Sequence, residues 1–165
     1  MTRLTIFDEA GAELATHSDG AAIAAELATI GVRFERWPTS GFEDRVEALR
    51  ADGYTTIDMV GIAPDHPDRA KMRQTFLSEH RHAEDEVRFF VEGAGLFTLR
   101  EGGRVYAVLC EGGDMISVPA GMRHWFDMGE HPHFTAMRFF RTPEGWVGDF
   151  TGDPIAERFP RLEPA

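Results

Sequence analysis

The stretch His80-Arg-His82-Ala-Glu-Asp-Glu86-Val-Arg-Phe-Phe-Val-Glu-Gly93 decides how this chain is read. His80 and His82 are two apart, so on an extended backbone both imidazoles point to the same face. Glu86, Arg88 and Phe90 keep that parity, whereas Val87, Phe89 and Val91 take the opposite face. One face therefore carries two imidazoles, a carboxylate, a guanidinium and an aromatic ring. Borderline nitrogen donors beside one hard oxygen are what a first-row divalent metal ion takes.

A fourth donor has to come from elsewhere. The segment Gly113-Asp-Met-Ile-Ser-Val-Pro119-Ala-Gly121-Met-Arg-His124 supplies one on a different strand, after a tight turn. Three histidines and one glutamate would leave two positions of an octahedron open, the mark of a catalytic rather than a structural site. An HxH pair alone is a weak signal, more often a surface accident than a ligand pair. Glu86 in phase, Gly93 after it and the separate Pro-x-Gly-x-x-His segment weigh against coincidence. The other histidines read as decoys. His131 and His133 are divided by Pro132 with no carboxylate in phase, and His17 and His66 sit in polar turns.

Outward from these segments the texture is β. Val87–Glu92, Leu96–Leu99, Val105–Leu109, Met115–Val118, His124–Asp127 and Phe134–Phe140 are short candidate strands. Gly93, Gly95, Gly102-Gly103, Gly112-Gly113, Gly121 and Gly129 punctuate them as turns. Short strands so closely spaced predict an antiparallel sandwich or barrel. The first third alternates strands and helices. Leu4–Phe7 and Glu13–Thr16 read as strands around Gly11, and Asp19 caps a helix over Ala22–Ile30 that closes at Gly31. Val32–Trp37 looks extended, and Ser40 with Glu43 forms a capping-box pattern for a helix over Glu43–Ala51. Tyr54–Ile62 reads as a strand and Arg69–Phe76 as a short helix. The Gly- and Pro-rich tail from Thr142 is expected to wrap the barrel as loop.

At 165 residues the chain is expected to be one domain, 1–165. It divides into an α/β part over about 1–75, a metal-binding barrel over about 76–141 and a wrapping tail over about 142–165. Hydrophobic content of 42% and charged content of 27% are those of an ordinary globular protein. The single cysteine, Cys110, excludes an internal disulfide and suits a reducing compartment; its apolar setting reads as packing, not as a nucleophile. Met1–Glu9 has no basic leader before an apolar stretch, and no run approaches membrane-spanning length. The expected home is the cytoplasm. A net charge of −11 argues against a nucleic-acid partner, though local arginines can still attract a small anion.

The two histidine segments resemble the paired motifs of the cupin superfamily: HxH, three residues, Glu, six residues, Gly, then Gly, five residues, Pro-x-Gly, two residues, His. Gln74 and Met128 depart from the glycine and asparagine often found at those positions, and neither is a ligand. Within cupins the likeness sharpens. Phe76–Gly93, Val118–Asp127 and Met137-Arg-Phe-Phe140 are similar, almost residue for residue, to the acireductone dioxygenases. The resemblance runs from the N-terminal third to the loop around Trp146. It implies a mainly β fold with a few helices, a cupin or jelly-roll barrel with a mixed α/β N-terminal part. It also implies metal ligation by His80, His82, Glu86 and His124, the metal being iron(II) or nickel(II).

The implied substrate is the enediolate 1,2-dihydroxy-5-(methylthio)pent-1-en-3-one of methionine salvage, with dioxygen as co-substrate. In that family iron gives formate and the keto acid precursor of methionine, whereas nickel gives methylthiopropionate, formate and carbon monoxide. The resemblance assigns Arg88 and Arg138 to orienting and stabilising the substrate; the plain reading of either is a structural ion pair at the barrel rim. It assigns proton abstraction to Asp85, although strand parity points Asp85 away from the metal. Either the chain bends between His82 and Glu86 or Asp85 is a solvated charge. Phe76, Phe126 and Trp146 would wall the methylthio tail, though such aromatics are more often plain core. Trp125 is expected to pack outward against the N-terminal layer. Another metal-dependent cupin oxidase or a sugar isomerase is the alternative, with a non-catalytic binding module behind it. No segment forces assembly, so a monomer is expected.

Overall fold

The computed structural model describes residues 1–162; the last three positions of the tail, 163–165, lie outside the described residues. β1 (Arg3–Asp8) and β2 (Glu13–His17) pair as an antiparallel hairpin around Gly11, which takes a positive φ. The Asp19 carboxylate accepts a hydrogen bond from the Ala22 amide and starts α1 (Gly20–Ala28), which buries Ile23 and Leu27. β3 (Arg33–Arg36), α2 (Glu43–Ala51), β4 (Thr56–Ile62) and α3 (Arg69–Leu77) follow. The barrel is built from β5 (His80–Arg81), β6 (Glu86–Glu101), β7 (Arg104–Glu111), β8 (Asp114–Val118), β9 (Arg123–Asp127) and β10 (Phe134–Phe140). The tail forms two 3-10 turns, Pro143–Trp146 and Pro154–Arg158, with the two-residue β11 (Asp149–Phe150) between them.

Two sheets face each other, and β6 belongs to both. Its first half pairs with β8 and β10, giving the order β4-β10-β6-β8-β3. Its second half pairs with β7 and β9, giving β11-β5-β9-β6-β7-β1-β2. The predicted strands Val87–Glu92 and Leu96–Leu99 are thus halves of one element, and Gly93 is a corner within it, not a turn. Gly93 takes φ +77, and a Cβ there would lie 2.0 Å from the His133 carbonyl oxygen. Only glycine lets the strand bend there against its neighbour and pass from one sheet to the other.

The predicted capping box is not formed. Phe42 occupies the N-cap of α2 and no side chain caps it; Ser40 lies two residues before that position. Glu43 and Asp44 in the first turn favour the start of the helix through the helix dipole instead. The tail departs from plain loop because β11 pairs with β5 and each 3-10 turn begins with a proline.

The main core joins the N-terminal part to the barrel: Leu4, Ile23, Leu27 and Phe34 pack in one cluster with Phe90, Phe97 and Phe126. Trp125 lies outside the barrel, as its parity predicts, but its cover is shared. It packs with Phe7 from β1 and with Ile155 and Phe159 from the tail, the Phe159 ring 5.9 Å away. Cys110 is fully buried, and that burial pushes its thiol pKa well up, as packing rather than nucleophilic use requires.

Buried charge pins the outer layers. Asp127, 1% exposed, accepts hydrogen bonds from Arg73 Nε (2.7 Å) and Nη2 (3.1 Å) on α3. It also accepts from the Gly129 amide (2.9 Å) and from the Leu162 amide of the tail (2.8 Å). Asp127→Ala leaves Arg73 facing a void and two amides without acceptors. It is expected to destabilise the protein by about 3–5 kcal/mol, read from urea unfolding. An unfolding midpoint equal to wild type would show that the network contributes nothing.

Candidate metal centre

The ladder brings the candidate ligands together. His80 on β5 pairs directly with His124 on β9, and His124 pairs with Leu99 on the second half of β6. Glu86 opens the first half of β6, opposite Val118 of β8. His82 stands just beyond β5, where the chain bends at Ala83 and Glu84 before rejoining the sheet. The three imidazoles each offer a ring nitrogen, and these nitrogens lie within 4.8 Å of one another. Among the described residues this is the one cluster of its kind; His17, His66, His131 and His133 take no part. Glu86 Oε1 adds a carboxylate oxygen 3.1 Å from His82 Nε2 and 3.9 Å from His124 Nε2.

Backbone carbonyls fix which nitrogen faces inward. His80 Nδ1 lies 2.8 Å from Ser78 O, His124 Nδ1 2.9 Å from Met122 O, and His82 Nδ1 3.1 Å from Val147 O. A carbonyl only accepts, so each Nδ1 carries the proton and each Nε2 presents its lone pair. Burial lowers the His124 pKa to about 3 and lowers that of His80 as well, which keeps these imidazoles neutral as ligands must be. The Phe97 ring stacks on His124, with centroids 5.3 Å apart and planes within 14°.

Glu86 is 2% exposed. Burial works to raise its pKa, but the neighbouring cation and imidazoles hold it well below the usual carboxylate range. The largest charge partner is Arg88, whose Nη2 lies 2.8 Å from Glu86 Oε2. That contact is close without being aligned as a hydrogen bond, and both Glu86 Oε2 and Arg88 Nε remain buried without a hydrogen-bond partner. Inward lone pairs, an ionised carboxylate and an unsatisfied buried oxygen fit a divalent cation. Nothing else nearby completes that donor set.

The three imidazoles open into a cavity of about 210 Å³. Arg88 and Arg138 reach it from β6 and β10, where they stand opposite each other in the ladder. The Arg88 guanidinium lies 5.0 Å from the Phe126 ring centroid and 5.2 Å from that of Phe97. Burial, together with the Arg138 charge, lowers its pKa against the opposing pull of Glu86. Phe76, Phe126 and Trp146 line the cavity as well. His80, His82 and His124 and both arginines, all expected from the sequence, line this one space, and Glu86 stands beside it against His82 and Arg88. Asp85 is placed elsewhere. The bend is present, but the Asp85 carboxylate accepts a hydrogen bond from the Ala120 amide (2.8 Å) and is not part of the cavity wall.

Sequence reasoning missed Phe97 and Phe150 in the wall and the tail's grip on a ligand through Val147 O. A backbone carbonyl leaves no side-chain signal. Phe97 stands directly opposite Phe126 in the ladder, a relation that only the register reveals.

A two-sheet barrel with three inward imidazoles and a carboxylate at one end defines a metal-dependent cupin enzyme. Comparison narrows the class. The profile described as the ARD/ARD' family matches residues 4–148. An acireductone dioxygenase of Pseudomonas paraeruginosa is 52% identical, over 99% of each chain. One from Parvibaculum lavamentivorans is 54% identical, over 99% of this chain and 98% of its own. Among solved structures, the acireductone dioxygenase from Bacillus anthracis with a cadmium ion in its active centre superposes with a TM-score of 0.82. It shares 27% identity and covers 91% of this chain and 98% of its own. The chain belongs to the ARD/ARD' family, and is a dioxygenase that binds a divalent metal.

Proposed function

We propose that the chain cleaves 1,2-dihydroxy-5-(methylthio)pent-1-en-3-one with dioxygen. The metal would be held by His80, His82, Glu86 and His124. With iron(II) the products would be formate and 4-methylthio-2-oxobutanoate; with nickel(II), methylthiopropionate, formate and carbon monoxide. The observation that carries this reading is the pair of arginines beside the ligands, with Arg88 Nε buried and unpartnered at an otherwise aromatic cavity. A buried donor without a partner is costly, and an enediolate oxygen would satisfy it.

When bound, the metal supplies Lewis acidity and a template for two adjacent substrate oxygens. The protein's own part is electrostatic and steric. Arg88 and Arg138 favour the ionised form of the enediol and fix its orientation. Phe76, Phe126 and Trp146 receive the methylthio tail and exclude water. Asp85, candidate for proton abstraction, would have to leave the Ala120 amide to reach substrate. We assign it to holding the Pro119–Gly121 turn that leads to His124. Aromatic walls favour this substrate over the polyols of a sugar isomerase. All the ligands come from one chain, so a monomer is sufficient. A buried, unpaired Cys110, with no helix among the described residues long and apolar enough to cross a membrane, supports action in the cytoplasm. The N-terminal part, barrel and tail are taken as one functional unit, 1–165.

The test is reconstitution of metal-free protein with iron(II) or nickel(II), addition of acireductone without oxygen, then admission of oxygen. Formate is expected with either metal, and carbon monoxide only with nickel. Stoichiometric metal without consumption of acireductone would overturn the reading in favour of another cupin oxidase or an isomerase.

A further inference from the structure

One row of side chains crosses three strands of the sheet that carries Glu86. Asp58 on β4 pairs in register with Arg138 on β10, and Arg138 pairs in register with Arg88 on β6. Two guanidiniums stand side by side on a ladder, an arrangement that like-charge repulsion disfavours. Each is matched by its own carboxylate. Glu86 Oε2 lies 2.8 Å from Arg88 Nη2, and Asp58 Oδ2 lies 2.6 Å from Arg138 Nη2. Asp58 also accepts from Arg138 Nε at 3.0 Å, so this second pair is a two-point fork. The fork engages Nε and Nη2, and no hydrogen bond among the described residues engages Nη1. The Trp146 ring centroid lies 5.9 Å from the guanidinium carbon.

We infer that Asp58 is a positioning residue for the acireductone: its fork holds the Arg138 guanidinium at the cavity, with Nη1 free for a substrate oxygen. The inference rests on the proposed contact between Arg138 and bound substrate. Arg138 is 24% exposed and Asp58 30%, so the pair is partly solvated and adds little to stability. Its effect is directional. A bidentate fork removes the rotational freedom of a long side chain whose alternative is to swing toward solvent, away from the Arg88 charge. Asp58 itself does not line the cavity. It is also the sole ionisable group in the strand Thr56-Ile-Asp-Met-Val-Gly-Ile62.

The test compares wild type, Asp58→Asn, Asp58→Glu, Arg138→Gln and the double variant Asp58→Asn/Arg138→Gln, all metal-loaded. Three quantities are read: acireductone affinity without oxygen, steady-state kcat and KM, and the unfolding midpoint. Asp58→Asn is expected to weaken affinity and kcat/KM by roughly tenfold, mainly through KM, as removal of an outer-shell partner does. Metal content and unfolding midpoint should stay near wild type, and Asp58→Glu should restore part of the loss. The double variant should be no worse than Arg138→Gln alone, because Asp58 acts through Arg138. Wild-type affinity in Asp58→Asn with a large loss in Arg138→Gln would overturn the positioning role and leave the substrate contact standing. Losses that add fully in the double variant would overturn it too, as would a lowered unfolding midpoint with unchanged affinity. Unchanged affinity in Arg138→Gln would sink the substrate contact itself, and the role of Asp58 with it.

Discussion

His124→Ala is expected to abolish both metal retention and turnover while leaving a folded protein. His124 is 2% exposed and is paired with His80 across β5 and β9. Its ring makes the closest imidazole contact in the site, 4.5 Å from that of His80. Removing it deletes a nitrogen donor that no neighbour can replace, because the side chain behind it is Phe97. Loss of a hydrogen-bonding partner outside the ligand set already costs about 10–100-fold in affinity or activity, and loss of a ligand should exceed that. Metal content after reconstitution should fall from about one equivalent to near zero, and dioxygen consumption with acireductone should fall to background. His133→Ala is the matched control: it is exposed, outside the cluster, and should behave as wild type. Full activity in metal-free His124→Ala would remove the basis for a catalytic metal.

The candidate ligands were legible from two motifs, the HxH segment with Glu86 in phase and the separate Pro-x-Gly-x-x-His segment. Residues two apart share a face wherever the backbone is extended, and that rule pairs Glu86 with Arg88 within β6; it does not reach His80, because the chain bends between β5 and β6. The Asp85 carboxylate accepts a hydrogen bond from the Ala120 amide. Where the rule needs a neighbour, sequence was silent. β5 and β11 are two residues each, too short for any periodicity, yet β11 closes the end of the sheet beside His80. The grip of Val147 O on His82 belongs to the backbone and has no residue-type signature. Gly93 was read as a turn because glycine with positive φ usually marks one; here pairing continues on both sides of it, so it marks a corner. Asp58 was overlooked although it is the lone carboxylate in an apolar strand, just as Arg138 is the lone cation in its own. The two become one observation once the register is known.

Arg88→Ala separates the metal from the chemistry. Arg88 does not supply a donor atom, so the variant should still bind about one equivalent of metal; without Arg88 the ion becomes the main cation facing Glu86. In metal-free protein the same change takes from a buried carboxylate the guanidinium that faces it at 2.8 Å, while His80 and His124 are held neutral by burial. That should cost on the order of 3–5 kcal/mol of stability, much of it recovered on metal addition. The unfolding midpoint of Arg88→Ala should therefore rise more with metal than that of wild type. Turnover should fall by roughly 10²–10³, the range for deleting a preorganised donor aimed at developing negative charge. Arg88→Lys should recover only a fraction of this. A lysine returns the charge but cannot keep one nitrogen on Glu86 while turning another toward substrate, nor spread a planar face between the rings of Phe97 and Phe126. If Arg88→Ala instead lost its metal, the arginine would be a support for the ligand shell. If it kept both metal and rate, the unpartnered Nε would have no role in turnover, and the enediolate would have to be stabilised by Arg138 and the metal alone.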